Sequence, residues 1–189
     1  MEIVIINDAL FLENSPLKEN TIITKFVPYL NIAQKIYIEK LLGTPLMREL
    51  KEQVKDADNG NENSITPANQ ALIEIVAPAL SFYAIYQGLP FHWAAIVNKG
   101  VTVRESENSK AVDVDDISQL RRWILNDAQT LERNIVEYLC RCRSEYPLWQ
   151  PERGCGCGDC SEYQPTSGTT KTTQDTGIYI PKPNKLKIY

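Results

Sequence analysis

The chain has 189 residues, of which 43% are hydrophobic and 23% are charged, with a formal net charge of −4. This is the composition of one folded domain with appendages rather than of a disordered protein. The acidic balance excludes a surface that grips nucleic acid throughout, and no apolar run reaches the roughly 18 residues of a membrane span.

Few residues are available for catalysis. The single histidine, His92, cannot supply an HExxH metal site, and no P-loop or GxGxxG phosphate-binding motif is present. His92 lies between Phe91 and Trp93, where we expect a packing role. We therefore predict no enzymatic activity. The N-terminus lacks the basic region of a signal peptide, so we expect assembly in a cytoplasm.

The first part of the chain is predicted to contain an arm followed by helices. Residues 1–19 open with a β-prone run and are predicted to form an N-terminal arm. Apolar residues then recur at helical spacing from Asn20 to Gly43, interrupted by Pro28. Gly43-Thr44-Pro45 has the residues of a helix end and a new helix start, which predicts a short helix over 46–54.

The second part is predicted to contain two long helices and a hairpin. Thr66-Pro67 begins a segment, 71–86, that is apolar nearly all round, as in the central helix of a bundle. Alternating residues on both sides of a polar connector predict a β-hairpin near 101–114. Asp115 or Asp116 is the expected N-cap of the long helix that runs from Ile117 to Cys142. The predicted fold class is mainly α, a small helical bundle with one β-hairpin and extended N- and C-terminal arms.

Arginines line this last helix outside its apolar stripe. They suit a subunit contact, a phosphate contact or a solvated face. These residues are Arg121, Arg122, Arg133, Arg141 and Arg143.

The chain changes character after Pro147. Residues 151–162 form a Cys/Gly-rich patch, and residues 163–189 have no helical or strand periodicity, so we predict an extended C-terminal arm that a neighbouring chain supports. Its short β-prone patches are suited to adding to the edge of a partner's sheet. The predicted partner-binding residues are Ile178, Tyr179, Ile180, Leu186, Ile188 and Tyr189.

The five cysteines predict a structural zinc site. Thiolates separated by glycine can close around zinc at about 2.3 Å from each sulfur. Residues two apart on a helix point about 200° apart, so only one of Cys140 and Cys142 is expected to bind. The predicted ligands are Cys142, Cys155, Cys157 and Cys160, with Cys140 as the alternative to Cys142. Free thiols, disulfides and an iron–sulfur cluster are the other interpretations.

The order of these elements resembles a known family. The runs Ile22-Ile23-Thr24-Lys25-Phe26-Val27-Pro28-Tyr29-Leu30 and Gln34-Lys35-Ile36-Tyr37-Ile38-Glu39-Lys40-Leu41-Leu42-Gly43-Thr44-Pro45-Leu46 look like the opening of tailed-phage head-to-tail connector proteins. The apolar second helix, the predicted hairpin and the long last helix are similar to that family too. The likeness is greatest to connectors of phages of Bacteroides-type hosts, including the crAss-like group, and it covers about residues 20–146.

The resemblance implies a structural virion protein with no enzymatic activity. Residues 20–150 would be a helical connector domain that assembles into a ring, commonly of about twelve copies. The ring would lie between the portal and the tail or next ring protein, and DNA would pass through its channel without sequence-specific binding. The alternative function is a zinc-stabilised protein-binding module of the cytoplasm, and a redox enzyme that uses the cysteines is third.

Overall fold

The computed structural model describes residues 3–17, 21–61, 63–97, 100–103 and 113–150, and these form a mainly helical fold. The helices are α1 (Asp8–Glu13), α2 (Val27–Ala33), α3 (Glu39–Leu42), α4 (Thr44–Asp58), α5 (Pro67–Trp93) and α6 (Val114–Arg141). A 3₁₀ turn at Ile23–Lys25 precedes α2, and a π-helical turn at Gln34–Ile38 joins α2 to α3. Two short strands, β1 (Ala94–Val97) and β2 (Gly100–Val103), pair antiparallel between α5 and α6.

Helix α5 is the centre of the fold, as its apolar composition predicts. The Thr66 hydroxyl caps it by accepting from the backbone N–H of Asn69 at 3.3 Å, and Pro67 follows in the first turn. The helix packs against α6 and against α2. Among the described residues it is the one helix long and apolar enough to cross a membrane, yet 61% of its apolar window is buried inside the fold. Packing against other helices therefore accounts for its hydrophobicity.

The hairpin predicted near 101–114 is wrong. The strand Gly100–Val103 pairs with Ala94–Val97 on its N-terminal side, and Val97 and Gly100 are partners across only two intervening residues. Hairpins favour such short connections. The last residues of the second predicted strand begin a helix instead. Asp113 is the N-cap of α6, and its Oδ1 accepts from the N–H of Val114 at 2.6 Å. The helix thus begins before Asp115 and Asp116, which lie in its first turn.

The prediction of an extended N-terminal arm is also wrong for the described residues 3–17. The buried amide of Gln34 ties this segment to the helices: its Oε1 accepts from the N–H of Ile5 at 2.9 Å, and its Nε2 donates to the carbonyl of Ile3 at 2.8 Å. Ile5 and Phe11 are buried in the core. The backbone of these β-prone residues thus forms hydrogen bonds with a side-chain amide, and their apolar side chains pack in the core, without a sheet.

The chain after α6 packs against the turn between α3 and α4. Trp149 is buried, its Nε1 donates to the carbonyl of Leu41 at 3.1 Å, and the N–H of Gln150 donates to the carbonyl of Leu42 at 3.3 Å. This packing is permitted by Gly43, which has a φ of 80° and against which Gln150 lies directly. The Cys/Gly-rich patch and the predicted C-terminal arm, 151–162 and 163–189, lie outside the described residues.

Candidate assembly surface

The N-terminal part of α6 projects beyond the core. Residues 114–123, which we call the overhang, contribute no buried side chain, and Ile124 is the first buried residue of the helix. Three large apolar side chains of the overhang are exposed: Val114 by 54%, Leu120 by 42% and Trp123 by 58%. Leu120 and Trp123 are three residues apart and share a helix face, whereas Val114 lies nine residues before Trp123, on the opposite face. A neighbouring pair of exposed apolar side chains such as Leu120 and Trp123 is typical of a surface that a protein partner covers.

The tip of the overhang is acidic. Asp113 caps it, and Asp115 and Asp116 are exposed in the first turn, where carboxylates are stabilised by the helix dipole. Further along, the Arg121 guanidinium lies over the ring of Tyr86 at 4.3 Å, and its Nε donates to the carbonyl of Tyr86 at 3.3 Å. Arg121 therefore fixes the base of the overhang to α5, and the carboxylates face solvent at its free end.

A second exposed apolar surface lies on α2 and the π-helical turn. Ile32 and Ile36 are four residues apart, and they are 43% and 39% exposed. Lysines accompany them on exposed positions, while nearby Glu39 is ion-paired with Lys51, the Nζ–Oε2 distance being 3.5 Å. We call this surface the lysine face, and it comprises Ile32, Lys35, Ile36 and Lys40.

The overhang and the lysine face belong to different helices and differ in composition. Both α2 and α6 pack on α5, and the π-helical turn approaches α6 through Tyr83, on which Tyr37 stacks and which donates to Glu132. Among the described residues, the overhang and the lysine face are therefore two unlike sets of exposed apolar side chains, one beside carboxylates and the other beside lysines.

A buried polar cluster joins α5 to α6. The Tyr83 hydroxyl donates to Oε2 of Glu132, and the ring of Tyr37 stacks on Tyr83 with centroids 3.9 Å apart. Gln87 Nε2 donates to the Tyr37 hydroxyl at 2.7 Å. Burial raises the pKa of Tyr37, and the neighbouring Tyr86 raises it further. Because Glu132 is only 1% exposed, its carboxylate cannot meet a substrate, and its structural effect is to set how α5 and α6 align.

The described cavities offer little chemistry. One of about 230 Å³ lies between the N-terminal segment and α4, and it is lined mostly by apolar side chains together with Asp58 and Gln70. The other, also about 230 Å³, lies beside the start of α5, and its lining includes Glu49, Asn69 and Glu145. Neither lining contains a histidine, cysteine, serine or lysine. The second lining contains the Thr66 hydroxyl, which caps α5 by accepting from the N–H of Asn69. His92 instead stacks on Phe26, with ring centroids 4.3 Å apart, as a packing residue does.

The predicted metal ligands are only partly described. Cys142 is a free thiol at the C-cap of α6, and Cys140 is disulfide-bonded. Cys155, Cys157 and Cys160 lie outside the described residues. Among the residues that are described, no group of three or more His, Cys, Asp or Glu side chains could hold a metal ion. The zinc site therefore stays a prediction. The predicted partner-binding residues of the C-terminal arm, 178–189, also lie beyond the described part of the chain.

The turn after α6 is held firmly against the bundle. Tyr146 is buried, and its hydroxyl donates to the carbonyl of Ala68 at 2.6 Å and lies 3.1 Å from the Tyr138 hydroxyl. Burial raises the pKa of Tyr146 well above its usual value, and the hydrogen bond with Tyr138 raises it further. The Arg143 guanidinium lies 5.3 Å from the centroid of the Trp149 ring. The segment that leads to the C-terminal arm thus starts from a fixed position.

Comparison with known proteins identifies the family. Residues 38–159 match the family described as a family of unknown function, DUF6712. The chain belongs to DUF6712. The DUF6712 match spans most of the bundle, including α4, α5 and α6, and so contains the overhang. No curated protein and no solved structure matches the chain.

Sequence reasoning did not single out the overhang or the lysine face. Val114 lies at the end of the predicted hairpin, 101–114, and Leu120 lies four residues before Ile124 at helical spacing, so neither position marks an exposed surface. Trp123 is the available signal, because it lies off the helical stripe that contains Ile117, Ile124 and Ala128. An aromatic residue at such a position indicates an interface more often than a core.

Proposed function

We propose that this DUF6712 protein is a structural subunit that assembles into a ring, as a head-to-tail connector of a tailed-phage virion. The observation that carries the proposal is the pair of unlike apolar surfaces, the overhang and the lysine face, which lie on different helices. The resemblance of residues 20–146 to phage connectors supplies the virion context.

The unlike composition of the two surfaces favours a ring over a dimer. A two-fold dimer uses one self-complementary patch, whereas two different patches join head to tail. Head-to-tail contacts produce a closed ring when the rotation between neighbours divides a full turn. A subunit with two unlike apolar surfaces is therefore better suited to a ring, or to binding between two other proteins, than to a symmetric pair.

In the virion, such a ring would lie between the portal and the tail or next ring protein. It would extend the DNA channel, and the net charge of −4 suits a conduit that does not hold the phosphate backbone. The protein would be assembled in the host cytoplasm, with the C-terminal arm contacting a neighbouring chain.

The test is native mass spectrometry of the full chain over a range of concentrations. We expect a closed homo-oligomer whose population grows with concentration. A chain that is monomeric at every concentration would overturn the ring. The same spectra report bound metal, so a mass excess of one zinc per chain would support the zinc site, and an apo mass with a disulfide would refute it.

A further inference from the structure

We propose that the overhang of one copy packs on the lysine face of the next copy. This inference rests on the proposed ring, because it names the two surfaces that join neighbouring subunits. The occupant of each surface is therefore a second copy of this chain.

Apolar complementarity is the first argument. The overhang offers Leu120 and Trp123 on one helix face, both more than 40% exposed, and the lysine face offers Ile32 and Ile36. A tryptophan that packs between two isoleucines one helical turn apart is a typical central contact of an interface. Both surfaces are helical, so one helix can lie against the other without leaving backbone groups unpaired.

Charge complementarity is the second argument, and it favours this pairing over others. The N-terminal end of the overhang carries three carboxylates, Asp113, Asp115 and Asp116, while Arg122 is the exposed cation of the same segment. The lysine face carries Lys35 and Lys40, and the acidic residue nearest to them in the chain, Glu39, is occupied by Lys51. An acidic tip and a basic face attract each other, whereas two overhangs side by side would bring like charges together.

The length of the overhang is the third argument. Its ten residues extend about 15 Å at 1.5 Å per residue. This is enough to lay two to three helical turns across the α2 region of a neighbour. Ile117 and Arg121 are half-buried against the rest of the chain, but Leu120 and Trp123 are exposed. A docking surface in a neighbour therefore removes the exposed apolar area of Leu120 and Trp123 from water.

The test uses two full-length variants, Trp123→Glu and Ile36→Glu, alone and mixed. Each variant keeps one intact surface and loses the other. We expect each variant alone to be monomeric by native mass spectrometry. We expect an equal mixture to form a 1:1 heterodimer and nothing larger, because only one intact overhang and one intact lysine face remain to meet.

A charge exchange provides the second test. The variants Asp115→Lys/Asp116→Lys and Lys35→Glu/Lys40→Glu are each expected to lose the ring, and the combination of all four changes is expected to restore it. Asn134→Glu on the exposed side of α6 and Thr44→Glu on α4 are the matched controls, and both should form the ring. Circular dichroism verifies that each variant is folded, since every substituted side chain is wholly or partly exposed.

The outcomes separate this inference from the ring itself. A wild-type ring that survives both Trp123→Glu and Ile36→Glu would overturn the interface and leave the ring standing. A dimer formed by Ile36→Glu alone would show that overhangs pair with each other, which also overturns it. A wild-type monomer would overturn both proposals.

Discussion

Gly43 forms the turn between α3 and α4, and replacing it with alanine should lower the free energy of unfolding for two separate reasons. Its backbone has φ 80° and ψ 152°, a region that is almost exclusive to glycine and costs other residues about 1–3 kcal/mol. In addition, a Cβ at this position would lie 1.8 Å from the carbonyl oxygen of Gln150, so the Gln150 backbone has to move.

Moving Gln150 disturbs the neighbouring Trp149, which is 2% exposed and hydrogen-bonded to the carbonyl of Leu41. Losing a buried tryptophan from a core costs about 3–5 kcal/mol. Adding the backbone strain of about 1–3 kcal/mol, we expect Gly43→Ala to lower the free energy of unfolding by about 4–8 kcal/mol if the Trp149 contacts are lost completely.

Gly60→Ala is the matched control. Gly60 also has a positive φ, of 100°, but no atom lies within 4 Å of its added Cβ. Gly60→Ala should therefore lower the free energy of unfolding only by the cost of backbone strain, about 1–3 kcal/mol. Urea unfolding followed by tryptophan fluorescence and circular dichroism measures both losses. Equal losses in the two variants would refute the argument that Gln150 packs against Gly43.

Three further perturbations test the packing. Gln34→Ala removes both hydrogen bonds to the N-terminal segment and leaves the N–H of Ile5 without its acceptor; we expect a loss of about 1–3 kcal/mol and faster hydrogen exchange at Ile5, and unchanged exchange would contradict this. Tyr83→Phe removes a donor from the buried carboxylate of Glu132 and should cost about 1–3 kcal/mol; a double-mutant cycle with Glu132→Gln should show coupling, and additive losses would contradict it. The fold raises the pKa of Tyr146, so the stability that this group contributes is fully present below its unfolded pKa of 10.0 and is lost as the pH rises beyond that value. Tyr146→Phe should therefore reduce the fall in the free energy of unfolding, measured with urea, at alkaline pH. An unchanged fall would assign it to other groups.

The helices could be predicted from the sequence because their start signals and apolar patterns are local. Thr66-Pro67 marks the start of α5, and the uniform apolarity after it marks a helix that is covered on several sides. The same local reasoning placed the last helix too late, since Asp113, Asp115 and Asp116 are all good caps. Choosing among them depends on where the preceding strand pairs, which is a tertiary property.

A run of β-prone residues does not by itself predict a strand or an arm, as the N-terminal segment shows. Ile5 is buried by contacts with distant helices, and its N–H is paired with Gln34, 29 residues away. Nothing local in the sequence marks a glutamine in a helix as that partner. The alternating pattern near 101–114 was misread for a similar reason, because the partner of Gly100–Val103 lies before it in the chain.

The candidate surface was hidden by the same apolar stripe that predicted α6. Leu120 and Ile124 follow one another at helical spacing, yet Ile124 is buried and Leu120 is 42% exposed. The difference depends on how α6 is aligned with the rest of the fold. The Tyr83–Glu132 contact helps to set that alignment, and only the folded structure reveals it.

The most direct test of the account is the native mass spectrum of the equal mixture of Trp123→Glu and Ile36→Glu, recorded beside that of the wild-type chain. The account predicts a closed ring for the wild type, monomers for each variant alone, and a 1:1 heterodimer for the mixture. A wild-type monomer, or variants that still close into rings, would contradict it.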